Sequence, residues 1–275
     1  MRQRLDLLLV ERGLAETRSR AQALVMAGRV RVEGGVVDKA GAQIDPGASI
    51  EIEQPPRYVS RGGDKLQTAL DRWSIDVRGE LCLDVGASTG GFTDCLLQHG
   101  AERVVAVDVG RNQLHELLRA DPRVVSIEQV NARELQPGQL PFVPRFLVVD
   151  VSFISLRLVL PPAVGCLGQP WRAVVLVKPQ FEAGRSRAPG GVVRDPEVRR
   201  EVVQNCCDLA AALPSVILGV CDSSVPGPAG NREYLLYLAS PDHPSSSEHE
   251  VDVNAEIAAA IAAGIPGERR PARTT

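Results

Sequence analysis

The chain has 275 residues, 44% of them hydrophobic, and a formal net charge of -3. That length allows one large or two modest domains with a buried core. The charge excludes a globally basic nucleic-acid binder, so any phosphate-binding surface has to be local.

Residues 1–60 read as a separate small unit. Leu5, Leu7, Leu8 and Leu9 open an amphipathic helix that stops near Gly13, and a second helix runs from Arg18 to about Ala27 before Gly28. Short strand-like pieces follow at 30–32, 36–37 and 49–52, separated by turns at Gly34-Gly35 and Pro46-Gly47. Up to residue 32 there are seven arginines against three acids. Arg4, Arg18, Arg20, Arg29 and Arg31 are the candidate phosphate-contacting set. Charge alone leaves a solvated helix face as an equal reading.

Gln54-Pro55-Pro56-Arg57-Tyr58 is a proline-containing connector. After it, residues 64–73 read as a helix with Lys65 in its first turn, where a cation opposes the helix dipole. Residues 81–85 form an apolar run ending in Asp84-Val85, followed by a loop with Gly86, Ser88, Thr89, Gly90 and Gly91 and a helix from Phe92. Strand, glycine loop and helix build a nucleotide crevice at the carboxyl ends of an open α/β sheet. The spacing departs from the dinucleotide pattern. An acid at Asp84 repels pyrophosphate and suits a ligand with a cationic end, which points to S-adenosylmethionine. Asp108 ends the next apolar run, about 20 residues on, at the offset of an acid that takes a ribose diol.

Further apolar runs fall at 124–127, 146–149, 173–177, 216–221 and 234–239, mostly with helices between them. The helix expected over 155–166 is interrupted near Pro161-Pro162. The expected architecture is a seven-stranded, doubly wound, Rossmann-like α/β sheet over residues 61–240. It is mostly parallel, with an antiparallel last strand, because no helix separates the last two runs. Residues 241–275, rich in Pro, Ser and Ala, are expected to be a flexible tail in which Asn254 caps one short helix.

Asp150 ends the fourth strand and Lys178 follows the fifth; Glu233 starts the antiparallel seventh, and Lys65 precedes the first. All four are expected at one edge of the sheet. Such a set suits deprotonating an alcohol. A lysine serves as base where burial or a cationic neighbour favours its neutral form, and carboxylates hold it in line.

None of the six cysteines forms a C-x-x-C pair, so free thiols are expected and no metal site. The start of the chain lacks a signal-peptide core, and no run approaches the roughly 18 apolar residues of a membrane helix. A cytoplasmic, soluble chain is expected.

Two resemblances sharpen these readings. Arg4-Leu5-Asp6, Ser19-Arg20, Gly28-Arg29-Val30-Arg31-Val32 and Pro46-Gly47 resemble the ribosomal-protein-S-four-like RNA-binding domain. Arg61-Gly62-Gly63-Asp64-Lys65, Leu83-Asp84-Val85-Gly86 through Asp94, Val107-Asp108-Val109-Gly110, Asn131-Ala132-Arg133, Asp150-Val151-Ser152-Phe153, Val177-Lys178-Pro179-Gln180 and Gly230-Asn231-Arg232-Glu233 resemble the haemolysin A (TlyA) family. That family joins the small domain to an FtsJ-type ribose methyltransferase. The resemblance implies a catalytic set of Lys65, Asp150, Lys178 and Glu233, with Lys178 the base. It places the cofactor among Asp84, Gly86, Asp108, Asn131-Ala132 and Asp150. It implies methylation of cytidine 2′-hydroxyls in ribosomal RNA. The expected partner is ribosomal RNA, within ribosomal subunits rather than free, though the sequence leaves both open, and a monomer is expected.

Three rival readings are weighed. An amino-group methyltransferase carries Asn/Asp-Pro-Pro-aromatic after strand four, unlike Asp150-Val151-Ser152-Phe153, and cytosine C5 chemistry needs a cysteine in the cleft loops. A pore-forming haemolysin needs spanning helices or a barrel-forming stretch. A non-catalytic RNA-binding, ribosome-associated protein has no use for the intact tetrad.

Overall fold

A computed structural model describes residues 2–53, 56–248 and 251–263. Gln54 and Pro55 of the connector, and residues 264–275 of the expected tail, lie outside the described residues. The chain divides into two compact units, Met1–Pro56 and Arg57–Thr275.

In the small unit, helices Leu5–Glu11 and Arg18–Met26 pack on a three-stranded antiparallel sheet of Gly35–Val36, Val30–Val32 and Ile50–Ile52. Leu5, Leu9, Ala21, Val25 and Val30 form its core. The Thr17 hydroxyl accepts from Arg20 N, which starts the second helix one residue before its basic run. A two-residue strand, Gln3–Arg4, pairs with Gln43–Ile44, a contact too short to leave a pattern in the sequence.

The large unit is a seven-stranded sheet. Its strands are β1 Leu81–Val85, β2 Arg103–Val107, β3 Val124–Ile127, β4 Phe146–Val149, β5 Arg172–Val177, β6 Val216–Asp222 and β7 Tyr234–Ala239. The spatial order is β6-β7-β5-β4-β1-β2-β3, and only β7 runs antiparallel to its neighbours. Both faces are covered, which is why the strands read as unbroken apolar runs. One face packs Leu83, Val105, Leu147 and Val175 against helices α4 Leu156–Val164 and α6 Pro196–Ala211. The other packs Cys82, Val104, Val148 and Leu176 against α1 Gly62–Arg72 and α2 Gly91–Gln98. Two short helices, α3 Glu116–Arg119 and α5 Pro179–Glu182, sit at the carboxyl edge of the sheet. Among the described residues no helix is long and apolar enough to cross a membrane.

Three expectations are corrected. Tyr58 is not part of a loose connector: it is buried in the large unit against Gly63, where any Cβ would run into its ring. Helix α4 continues through Pro161 and Pro162. The carbonyls they leave without an amide partner belong to Arg157 and Leu158, both exposed to water, while Leu156, Val159, Leu160 and Ala163 anchor the helix in the core. The short helix expected in the tail is present as Val253–Ala262, but instead of being mobile it lies on edge strand β6 with Ile257, Ala260 and Ile261 buried. Its cap is Asp252, which accepts from Ala255 N, rather than Asn254. Arg232 ties the helix end down, donating to Asp222 and to the Ile261 carbonyl.

Candidate active site

The strand ends place the chemistry. Asp84 is the penultimate residue of β1, fully buried, with Oδ2 accepting from the Thr93 hydroxyl of α2 at 2.6 Å. Its Oδ1 has no hydrogen-bond partner among the described residues. Burial, with the nearby Asp150 as a smaller cause, pushes its carboxyl up to about 7. Gly86 follows at φ +86°, and a Cβ there would sit 2.5 Å from the Asp150 carbonyl oxygen. Only glycine lets this loop pass that close to the neighbouring strand end.

Two adjoining cavities open along this edge and share Gly86, Ser88, Asp150 and Ser152. The larger, about 540 Å³, is lined by Asp108, Asn131, Ala132 and residues 150–154. Asp108 stands between them and the glycine loop, accepting from Ser88 N at 2.8 Å and Gly110 N at 2.6 Å, so its carboxylate is rigidly aimed. Asn131 accepts from Arg133 N and Nε. The smaller, about 120 Å³, is lined by Asp84, Gly91, Phe92 and Lys178. Thr89 and Gly90 line neither: the Thr89 carbonyl accepts from His115 N, and Gly90 makes the tight turn into α2 beneath Leu118. A buried carboxyl with one unpartnered oxygen at the end of a glycine-walled cleft fits a ligand with a cationic end.

The four charged residues singled out in the sequence converge as two pairs. Lys65 Nζ donates to Glu233 Oε2 at 2.5 Å, with both side chains almost wholly buried. That partner explains a lysine in the first turn of α1 against the helix dipole. Lys178 Nζ lies 2.5 Å from Asp150 Oδ1. The register Val177↔Tyr234 brings Lys178 and Glu233 out at the same edge.

Several neighbours of these pairs did not stand out in the sequence. Gln180 Nε2 donates to Glu233 Oε1 at 3.0 Å, and Lys178 Nζ donates to Ser152 Oγ at 2.9 Å. Phe153 is 90% exposed at φ +63°, with its ring 4.9 Å from that of Phe181. A bulky residue in that backbone region is strained, and such strain collects at functional sites. The one signal available in the sequence was an aromatic three residues after the strand-four acid.

In the small unit, two of the candidate arginines have a structural duty. Asp6 is fully buried and accepts from Arg4 Nε and Nη2, Arg18 Nε and Gln22 Nε2. The Arg4 guanidinium, seconded by Gln22 and Arg18, holds the Asp6 carboxyl well below the usual range. Arg20 is exposed, and Arg31 reaches Glu53 at 3.7 Å. Replacing Asp6 by alanine is expected to cost about 2 kcal/mol of folding stability, measured by denaturant unfolding. It should also weaken RNA binding, because both arginines lose their anchor.

A Rossmann-like sheet with the last strand inserted antiparallel, a glycine loop after strand one and acids ending strands one, two and four define a methyltransferase-type nucleotide site. The FtsJ-like methyltransferase family matches residues 58–240, and the S4 domain matches residues 3–50. The chain belongs to the FtsJ-like methyltransferase family and carries an S4 domain ahead of it. It is 48% identical to the 16S/23S rRNA (cytidine-2′-O)-methyltransferase TlyA of Mycobacterium tuberculosis, over 86% of the chain and 90% of that protein. It is 42% identical to Hemolysin A of Brachyspira hyodysenteriae, over 86% of the chain and 99% of that protein. A solved structure from Streptococcus thermophilus, described as a hemolysin, superposes with a TM-score of 0.72 at 42% identity, covering 95% of this chain and 94% of that one.

Proposed function

We propose that the protein transfers a methyl group from S-adenosylmethionine to the 2′-hydroxyl of a cytidine in ribosomal RNA. The observation that carries this reading is the pairing of Lys178 with Asp150 at the seam of two cavities, one of which ends on the Asp84 carboxyl with its unpartnered Oδ1. The cofactor supplies a methyl group on a cationic sulfur. Asp84 receives the ammonium end, Asp108 the ribose diol, and Asn131 and Ala132 line the adenosine end. Lys178 holds the ribose hydroxyl and takes its proton. Asp150 keeps the lysine aimed and balances the charge that develops on it. The buried Lys65–Glu233 pair, braced by Gln180, fixes the far side of the site.

Arg20, Arg29 and Arg31, with Arg4 and Arg18 anchored on Asp6, contact RNA phosphates. Such contacts position without reading sequence. The exposed Phe153 ring offers an unstacked base a face. Phe153→Ala is expected to weaken substrate RNA binding by about tenfold, read as a rise in KM. Affinity for S-adenosylmethionine, measured by calorimetry, should fall far less.

The experiment that tests the function is transfer of label from tritiated S-adenosylmethionine to purified ribosomal subunits, with the product nucleosides resolved. Label in 2′-O-methylcytidine is the expected result. Label on a base would overturn the ribose assignment, and no label on either subunit would overturn the ribosomal one.

A further inference from the structure

The Lys178 ammonium has three hydrogens to place. One is donated to Ser152 Oγ at 2.9 Å, while Asp150 Oδ1 lies 2.5 Å from the nitrogen as an ion pair outside hydrogen-bond geometry. Ser152 sits in the turn just after β4 and lines both cavities. That turn is braced from the β5 side at two further points. Phe153 packs on Phe181, and the Glu182 carboxylate accepts from Ser155 Oγ at 2.7 Å and Leu156 N at 2.8 Å. These contacts brace the backbone that follows Ser152, whose hydroxyl accepts from Lys178.

We propose that Ser152 is a positioning residue for the transfer: with Asp150 it fixes the orientation of Lys178 Nζ, so that the third position on the nitrogen faces the seam of the two cavities. This rests on the reading of Lys178 as the base. A lysine ammonium is a compact charge on a flexible stem with three rotatable donors. A carboxylate 2.5 Å away fixes its distance but leaves rotation about the last bond. A second acceptor on a different bearing removes that rotation. A neutral hydroxyl does so without adding charge to a cleft that already holds acids. The charged groups around Lys178 are Asp150 from β4, Asp84 across the smaller cavity from β1, and the Glu233–Lys65 pair at the start of β7 and in α1. The Phe181 ring lies 6.0 Å from Nζ. Lys178 enters the step as the neutral amine, one ammonium proton having first gone to solvent, with its lone pair toward the seam; the N–H bond forms as the ribose O–H bond breaks. The oxygen keeps that electron pair and forms the bond to the methyl group as the methyl's bond to sulfur breaks, the sulfur keeping its own pair, and the lysine leaves the step as an ammonium.

The test compares Ser152→Ala, Ser152→Thr and Lys178→Ala in single-turnover methylation across pH, with affinity for S-adenosylmethionine measured by calorimetry and folding by thermal melting. Ser152→Ala is expected to lower the rate about tenfold at neutral pH. Its affinity for the cofactor should stay within about twofold of wild type, the span of a contact that touches the cofactor only through its wall. The acid limb of its pH–rate profile should move to lower pH, because an ammonium that loses an acceptor gives up its proton more readily. Ser152→Thr, which keeps the hydroxyl, should restore rate and profile. In the cofactor-free protein, acylation of Lys178 should show the same displacement along the pH axis.

Ser152→Ala with weakened cofactor binding and an unmoved profile would make Ser152 a cavity wall and overturn the proposal. A wild-type rate and profile would overturn it too, as would a well-folded Ser152→Thr that fails to rescue. The Lys178→Ala arm separates the two claims. If that variant keeps turnover, the base assignment falls and the positioning role falls with it. If it is dead while Ser152→Ala behaves as wild type, only the positioning role falls.

Discussion

Lys178→Ala is expected to lower the methylation rate by about a thousandfold, with cofactor affinity little changed. Lys178→Arg should be nearly as slow. Arginine keeps the positive charge beside Asp150 but stays protonated at any working pH, so it cannot take a proton. The pair of variants separates a base from a charge that merely steadies the hydroxyl. Single-turnover transfer of label to ribosomal subunits is the measurement, and an arginine variant within a few-fold of wild type would remove the base role. Lys65→Ala is a poorer probe. It strands Glu233 as a buried, unpaired charge, so lost folding would be confounded with lost chemistry.

Asp84→Asn should separate stability from function. The Asp84 carboxyl sits at about 7 in the folded chain because burial disfavours its charge. In the unfolded chain it ionises near 3.8. Between those values the unfolded chain has released the proton and the folded chain has kept it. The contribution of Asp84 to stability therefore falls as pH rises from about 4 to about 7, and is flat above that. Asparagine cannot ionise and still accepts from the Thr93 hydroxyl. At pH 8 the variant is expected to be more stable than wild type, by on the order of 4 kcal/mol in chemical denaturation, with no difference near pH 4. Its affinity for S-adenosylmethionine should fall by about a hundredfold or more, because the buried partner of a cationic ligand is gone. In wild type that affinity should rise as pH passes through about 7, with a proton released on binding. Calorimetry in buffers of different ionisation heat reads both, and a variant that binds as wild type would place the ammonium elsewhere.

The sheet was legible because most of its strands are buried on both faces and carry apolar runs, and the parallel ones end beside a charge or a glycine. The tetrad was legible for the same reason: Lys65, Asp150, Lys178 and Glu233 stand out against the apolar stretches beside them. What escaped was set by tertiary contact. Ser152 and Gln180 are ordinary polar residues until the fold brings Lys178 and Glu233 to them. The backbone strain and exposure of Phe153 have no counterpart in its neighbours along the chain. Arg4 and Arg18 read as free charges, because nothing local shows that Asp6 is buried beneath both. The prolines of α4 read as a break, since the rule against proline in a helix knows nothing of which carbonyls face water.

The helix laid on β6 bears on where this protein can be cut. The FtsJ-like family match ends at residue 240, and every residue of the tetrad and the cofactor cleft lies before it. The folded body does not end there. Strand β6 is the last in the sheet, and Glu256 reaches back to its Val220 amide. An outermost strand stripped of such cover is a template for pairing with another chain, which natural proteins guard against. Cutting at 240 would bare the outermost strand and the apolar surface that Ile257, Ala260 and Ile261 cover, so the limits of the family match are not the limits of the folded body.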